Sequence, residues 1–391
     1  DCPEEPCNLG DSITVVITLK NTGPIPIPWV LVEDALSAEA LLQRPPRLEV
    51  DGPRLLVTQM GPRHEKELRY EITFRQRGYY QIGPLLVESG DLFGLQRRFR
   101  VLTTPRFVMV YPKTVPLDGY DIVSKRPVGE VKISHRLFED PTRIAGIREY
   151  QRGDSMTRIH WRATARTGQL QSKTYEPSCV AGATLVLDFH KNSFQRSGSE
   201  YQAELAVTVA ASVAHALFEL GQQTGLVTNG RDAADRIREE GWGAEFVTRG
   251  DAQGRVGMAG KSDRLRPLVV DTGRGADQFQ RILEALARVE QTDGLTFQEL
   301  VSETASRLPR DASVIAVLAD VPEETAVALG SLKRRGFAVT ALLILRGEAE
   351  YHDWAVPPEW AGRLLAEGVE FRRINDENEL ATLGRDLGMF V

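Results

Sequence analysis

The chain has 391 residues, 42% of them hydrophobic and 26% charged, a composition ordinary for globular protein in two or three domains. A formal net charge of −6 argues against a general nucleic-acid binder, because phosphate recognition needs a basic face. Cys2, Cys7 and Cys179 provide no disulfide framework, and no stretch approaches the roughly eighteen apolar residues of a membrane span.

From Ser12 to about Tyr111 the pattern is all-β. Ser12–Leu19 alternates polar and apolar residues and is rich in β-branched types, which suit a half-buried pleated surface. Further strands are expected at Trp29–Asp34, Arg54–Met60, Glu67–Arg75, Tyr79–Glu88, Gln96–Leu102 and Phe107–Tyr111, with Gly and Pro between them. That spacing predicts an antiparallel β-sandwich over residues 1–112.

Pro112–Gly129 reads as a connection leaving the sandwich, and residues 113–180 as a connector. Within it, Gly146–Glu176 is dense in arginine and punctuated by glycine. The pattern then changes. Ala183–Asp188 is a short apolar strand and Tyr201–Leu220 an Ala-rich helix, followed by strands at Leu226–Asn229, Glu245–Thr248 and Val314–Ala319. Phe279, Ile282, Leu283, Leu286 and Val289 share one helix face. Glu323–Arg335 is an amphipathic helix, Val339–Leu345 a buried strand, and Val369–Ile374 with Glu377–Gly388 a closing strand and helix. Strand–helix alternation predicts a doubly wound α/β domain over 181–391, with parallel strands and helices on both faces.

The segment running Arg148-Glu-Tyr150-Gln-x-Gly153-Asp154, then Arg158-Ile-His160-Trp161, Arg166 and Lys173-x-Tyr-Glu176, resembles the signature of the domain of unknown function 58 family. Arg77–Pro84 and Asp91–Leu95 resemble that family's preceding β segment. The resemblance implies a membrane segment before Asp1, a β-sandwich, this motif and a von Willebrand factor A-like domain. It also implies a MoxR-type AAA+ ATPase as partner, acting on a client protein. The chain opens on Asp1 and reads as the soluble portion of such a protein, expected on the cytoplasmic side where ATP is available.

Two readings of the signature stay open. In one, Trp161 anchors the segment in a packed interface while the arginines pair with carboxylates. In the other, Arg148, Tyr150, Arg158, His160, Trp161, Arg166, Lys173 and Glu176 form a docking face around a Gly153-Asp154 turn, since Arg and Trp are enriched at interface hot spots. His160 is expected to be a hydrogen-bonded structural histidine.

A von Willebrand A metal site uses an Asp-x-Ser-x-Ser loop, a Thr and a later Asp as hard oxygen ligands for Mg²⁺. Here the loop runs Asp188-Phe-His190-Lys-Asn192, and Thr296 and Asp320 fall where the other elements belong. With both serines replaced, the site is degenerate. No bound cofactor is expected, although a divalent cation stays open. Phosphate-cradling, zincin and nucleophile-elbow motifs are absent from the sequence. These features predict a non-enzymatic adaptor; the alternative is a metal-dependent hydrolase between Asp188, His190, Asp320 and the Arg-rich segment.

Overall fold

The computed structural model describes residues 6–36, 40–41, 46–91, 93, 95–117, 139–149, 159–177, 182–194, 199–235, 265–309, 313–344 and 359–386, with the backbone alone at 139–149, 173–177, 199 and 382–386. The expected strand at Glu245–Thr248 lies outside them, as do Tyr150, Gly153, Asp154 and Arg158.

Two antiparallel sheets form the N-terminal region. The strands are β1 (Ser12–Lys20), β2 (Ile27–Leu36), β3 (Leu48–Asp51), β4 (Leu55–Met60), β5 (Glu65–Phe74), β6 (Gly78–Gly90), β7 (Arg97–Val101) and β8 (Arg106–Val110). One sheet has the order β1-β5-β3. In the other, β4-β2-β6, the two halves of the long β6 pair with β8 and β7 in turn. Period-two alternation sends Ile13, Val15, Ile17 and Leu19 of β1 inward, where they meet Val32, Ile72, Phe74 and Val110. The register Lys20↔Glu65, with Ile27↔Met60 and Val30↔Ser89, gathers the β1–β2, β4–β5 and β6–β7 connections at one end of the sandwich.

The signature region is more structured than a connector. Strands β9 (Glu139–Glu149) and β10 (Gln171–Pro177) pair as a two-stranded antiparallel ribbon with Glu149 opposite Gln171. Helix α1 (Trp161–Thr167) lies between them in the chain.

The C-terminal region is a six-stranded sheet. Its members are β11 (Gly182–Leu187), β12 (Gln223–Thr228), β14 (Leu268–Gly273), β16 (Ser313–Leu318), β17 (Val339–Ile344) and β18 (Glu370–Ile374), in the order β14-β12-β11-β16-β17-β18. Two-residue strands β13 (Arg231–Asp232) and β15 (Val289–Glu290) pair outside it. Leu185, Leu187 and Leu226 pack on helices α2 (Ser199–Glu219) and α3 (Ala276–Arg288). On the opposite face Val186, Ala316, Leu318 and Leu343 meet α4 (Phe297–Thr304), α5 (Glu323–Arg334) and α6 (Glu359–Ala366). A last helix, α7 (Glu377–Asp386), follows β18. The expectation of uniformly parallel strands fails at one edge: β14 runs antiparallel to β12, as edge strands of mixed sheets often do. Among the described residues no helix is long and apolar enough to cross a membrane.

Chain order reverses between β11 and β16, so the crevice beyond their carboxyl ends is the topological switch point. Arg77, in the β5–β6 turn, joins the two regions. Its Nη1 donates to the carbonyls of Leu286 (2.6 Å) and Val289 (3.0 Å) at the C-terminal end of α3. Its Nε lies 3.2 Å from a Glu204 carboxylate oxygen on α2, and the guanidinium sits 5.5 Å from the centroid of the Phe189 ring. A cation at a helix C-terminus complements the dipole, and the planar fork satisfies several acceptors together. Beside it, Arg47 and Gln76 both reach Glu200, and Ser212 accepts from the Val115 amide at 2.8 Å.

Candidate functional site

Asp188 follows β11 directly and is buried. Its Oδ1 accepts from the Asn229 side-chain amide at 2.8 Å and the His190 backbone amide at 3.2 Å; Oδ2 accepts from the Ser193 hydroxyl at 2.6 Å. Burial raises its pKa, and the bonds from Ser193, Asn229 and His190 only partly offset that. Asn229, just beyond β12, also accepts from the Phe189 amide at 2.6 Å and donates to the Leu295 carbonyl at 3.0 Å. One buried amide thus ties the ends of two neighbouring strands to the loop before α4.

His190 and Asn192 do not stand in for the missing serines as ligands beside Asp188. The His190 Nδ1 accepts from the Asn192 amide at 3.1 Å, and its backbone bridges to Thr292. The hydroxyl against the carboxylate comes instead from Ser193, one residue beyond the expected position.

Thr296 caps α4: its hydroxyl accepts from the Glu299 amide, while its own amide and hydroxyl donate to the Glu299 carboxylate. Those two donors hold the Glu299 carboxyl below the usual range. Asp320 is exposed and accepts from the Val321 amide at 2.9 Å. The residues therefore do not fit a divalent ion, because the Asp188 oxygens, the His190 Nδ1 and the Thr296 hydroxyl are each engaged with other groups. No cluster of three or more His, Cys, Asp or Glu ligands occurs among the described residues. Titrating the chain with Mg²⁺, Mn²⁺ and Zn²⁺ in a calorimeter is expected to show no saturable binding at micromolar concentration. Such binding, abolished by Asp188→Ala, would reverse this.

The signature segment is organised differently. The His160 Nδ1 accepts from the Ala163 amide at 3.0 Å as the N-cap of α1, and the His160 amide donates to the Gln171 carbonyl at 2.8 Å. Gly168 ends the helix at φ 73°, a left-handed position suited to glycine, and donates back to the Thr164 carbonyl. Ile159 and Ser172, bridged to one another, are buried and fix the base of the segment. His160 thus holds the start of α1 through its Nδ1 and its backbone amide.

Trp161 is not buried. It is 66% exposed, so the expectation that its ring is clamped in a packed core is corrected. Arg162 and Arg166 are exposed beside it and make no ion pair among the described residues, and Leu170 is also exposed. Apart from Trp161, α1 (WRATART) carries only alanines as apolar residues, so it has no apolar stripe to bury. Arg148 and Lys173 lie one residue apart in register along the ribbon, Arg148 opposite Ser172 and Lys173 opposite Ile147; Glu176 follows near the end of β10.

Sequence reasoning missed Asn229, Ser193 and the role of Arg77. Asn229 had a legible signal, since it directly follows a strand of the same parallel pair as Asp188. Arg77 had only its place in the Arg77–Pro84 motif, which names no partner across 209 residues of sequence.

A family model described as Protein of unknown function DUF58 matches residues 146–249, which include α1, β10 and the crevice residues Asp188, Ser193 and Asn229. The uncharacterized protein YeaD of Bacillus subtilis (strain 168) is 25% identical over 225 residues, 57% of this chain. The chain spans about half, 53%, of that relative's length. Among solved structures, the ASH / PapD-like domain 7 of human CEP192 aligns at 12% identity with a TM-score of 0.19, covering 27% of this chain and 75% of that domain. So low a score carries no argument.

Proposed function

As a DUF58 family protein, with the family region at residues 146–249, this chain acts, we propose, as a non-enzymatic adaptor whose signature segment docks a partner protein. The observation that carries this reading is the exposure of Trp161 on a short helix capped at both ends and flanked by Arg162 and Arg166. Exposing a large ring costs hydration free energy, and a rigid mount removes the ordering cost of binding. Tryptophan with arginine is the pairing found where a few residues carry most of an interface's energy.

The crevice supports the same reading over a hydrolase. The Asp188 carboxylate accepts from three donors, and His190 turns its Nδ1 to a backbone amide, so it does not serve as a base on the Ser193 hydroxyl. We read the α/β region as a von Willebrand A-like domain in which a polar lock replaces the metal site. The proposed partner is a MoxR-like AAA+ ATPase acting on a client protein. The proposed setting is the cytoplasmic membrane surface, reached through an anchor preceding Asp1.

Purified chain used as bait in host lysate, read by mass spectrometry, tests the proposal. Trp161→Ala and Arg166→Lys are expected to lose the ATPase while stability changes by no more than about 0.5 kcal/mol, as for other exposed positions. A large drop in melting temperature would return the segment to a structural role. Undiminished capture by both variants would remove it as the docking face.

A further inference from the structure

The sandwich end remote from Arg77 carries exposed apolar side chains on a fixed frame. Strand β6 has 13 residues and spans about 40 Å, from Gly78 beside the α/β region to Gly90 at this far end. In the β6–β7 turn Phe93 is 86% and Leu95 84% exposed, and in the neighbouring β1–β2 loop Ile25 is 73% exposed. These residues do not sit on a slack loop. The Asp91 carboxylate accepts from the Leu95 and Gln96 amides at 2.8 and 3.2 Å, and the Trp29 indole donates to the Asp91 carbonyl at 2.9 Å. A Cβ at Gly90 would stand 2.3 Å from the Gln96 carbonyl oxygen, so the chain closes there as only glycine permits. The β1–β2 loop is pinned too, because the Asn21 side chain donates to the Ile25 and Gly61 carbonyls.

Cations surround this apolar tip. Lys20 pairs with Glu65 and Arg97 with Glu88, while Arg63, Arg98 and Arg100 are exposed and have no ion pair among the described residues. Arg98 lies three residues behind Leu95, about 10 Å along an extended strand. The Asp91 carboxylate, accepting from two backbone amides, adds one negative charge against these arginines.

We infer that this end of the sandwich is a peripheral contact for a bilayer surface containing anionic lipid. Phe93, Leu95 and Ile25 enter the headgroup–acyl boundary, and Arg63, Arg98 and Arg100 meet the phosphates. Apolar groups stand at the tip, and Arg98 is set back from Leu95 by roughly the depth to which interfacial side chains insert. Local positive charge on a chain of net charge −6 orients this end toward an anionic plane.

Sedimentation of the 391-residue chain with phosphatidylcholine vesicles, with and without phosphatidylserine, tests the inference. Binding is expected to require phosphatidylserine and to weaken as salt is raised. The double variant Phe93→Ser with Leu95→Ser should bind about a hundredfold more weakly, because each lost apolar insertion is worth about tenfold. Its melting temperature should not move, since neither side chain packs in the core. Arg98→Glu with Arg100→Glu should abolish binding to the phosphatidylserine-containing vesicles. Absence of binding, equal binding to both vesicle types, or undiminished binding of the Phe93/Leu95 variant would each overturn the assignment. So would concentration-dependent self-association that both variants abolish without any vesicle binding.

Discussion

Replacing Arg77 with alanine is expected to turn one cooperative thermal transition into two, as the sandwich and the α/β region lose their shared latch. The guanidinium is buried, bonds two carbonyls at the end of α3 and pairs with Glu204. Removing one member of such a buried set destabilises by about 3–5 kcal/mol, because the remaining acceptors lose both their partner and access to water. Arg77→Lys keeps the charge but cannot span the two carbonyls and the carboxylate together, so an intermediate loss is expected. Differential scanning calorimetry distinguishes these outcomes. A single transition at the wild-type temperature in Arg77→Ala would show that the latch contributes nothing.

A second large effect is expected at Asp188. Asp188→Ala leaves the Asn229 amide, the His190 amide and the Ser193 hydroxyl without an acceptor in a buried crevice. Donors stranded in this way cost about 1–3 kcal/mol each, and Ser193 can turn partly toward water, so a loss of about 3–5 kcal/mol is expected. The pH dependence has a definite sign. Burial raises the folded-state pKa of Asp188 above the ordinary aspartate value, so between the two the folded chain binds the proton more tightly than the unfolded chain. This group's contribution to stability is therefore greatest at or below the ordinary aspartate pKa, and it declines as pH rises through the raised value. Urea titrations across that window should show a shallower decline in Asp188→Asn than in wild type, the remainder coming from Asp34 and Glu204, whose pKa values burial also raises. An identical slope in both would mean that the carboxyl is not the titrating group.

What the sequence revealed follows from how local each signal is. Period-two alternation in Ser12–Leu19 and the apolar run Val314–Ala319 located strands within a residue or two, because burial on one or both faces writes itself into neighbouring residues. The Thr296–Glu299 capping box was equally local, although the helix it begins, α4, was not anticipated. The antiparallel edge β14 was not legible, since strand direction depends on pairing with β12 and not on its own residues. Which of the two readings of Trp161 holds was not legible either: a large aromatic ring is core material by composition, but α1 supplies no other large apolar side chain to build a buried face, and the ring lies outside. At the crevice, the sequence placed His190 and Asn192 beside Asp188 but not what they bond to. That Ser193 and Asn229 complete a closed polar lock required the fold, because those groups converge from two strands.

The most direct test of the adaptor account is site-specific photocrosslinking in the host cell, with a benzophenone amino acid at position 161 and, as control, at the exposed Val327 on α5. The account predicts that the position-161 probe forms a covalent adduct with a MoxR-like AAA+ ATPase and that the position-327 probe does not. An ATPase adduct at 327 but not at 161, or none at 161 from a folded and normally expressed chain, would contradict it.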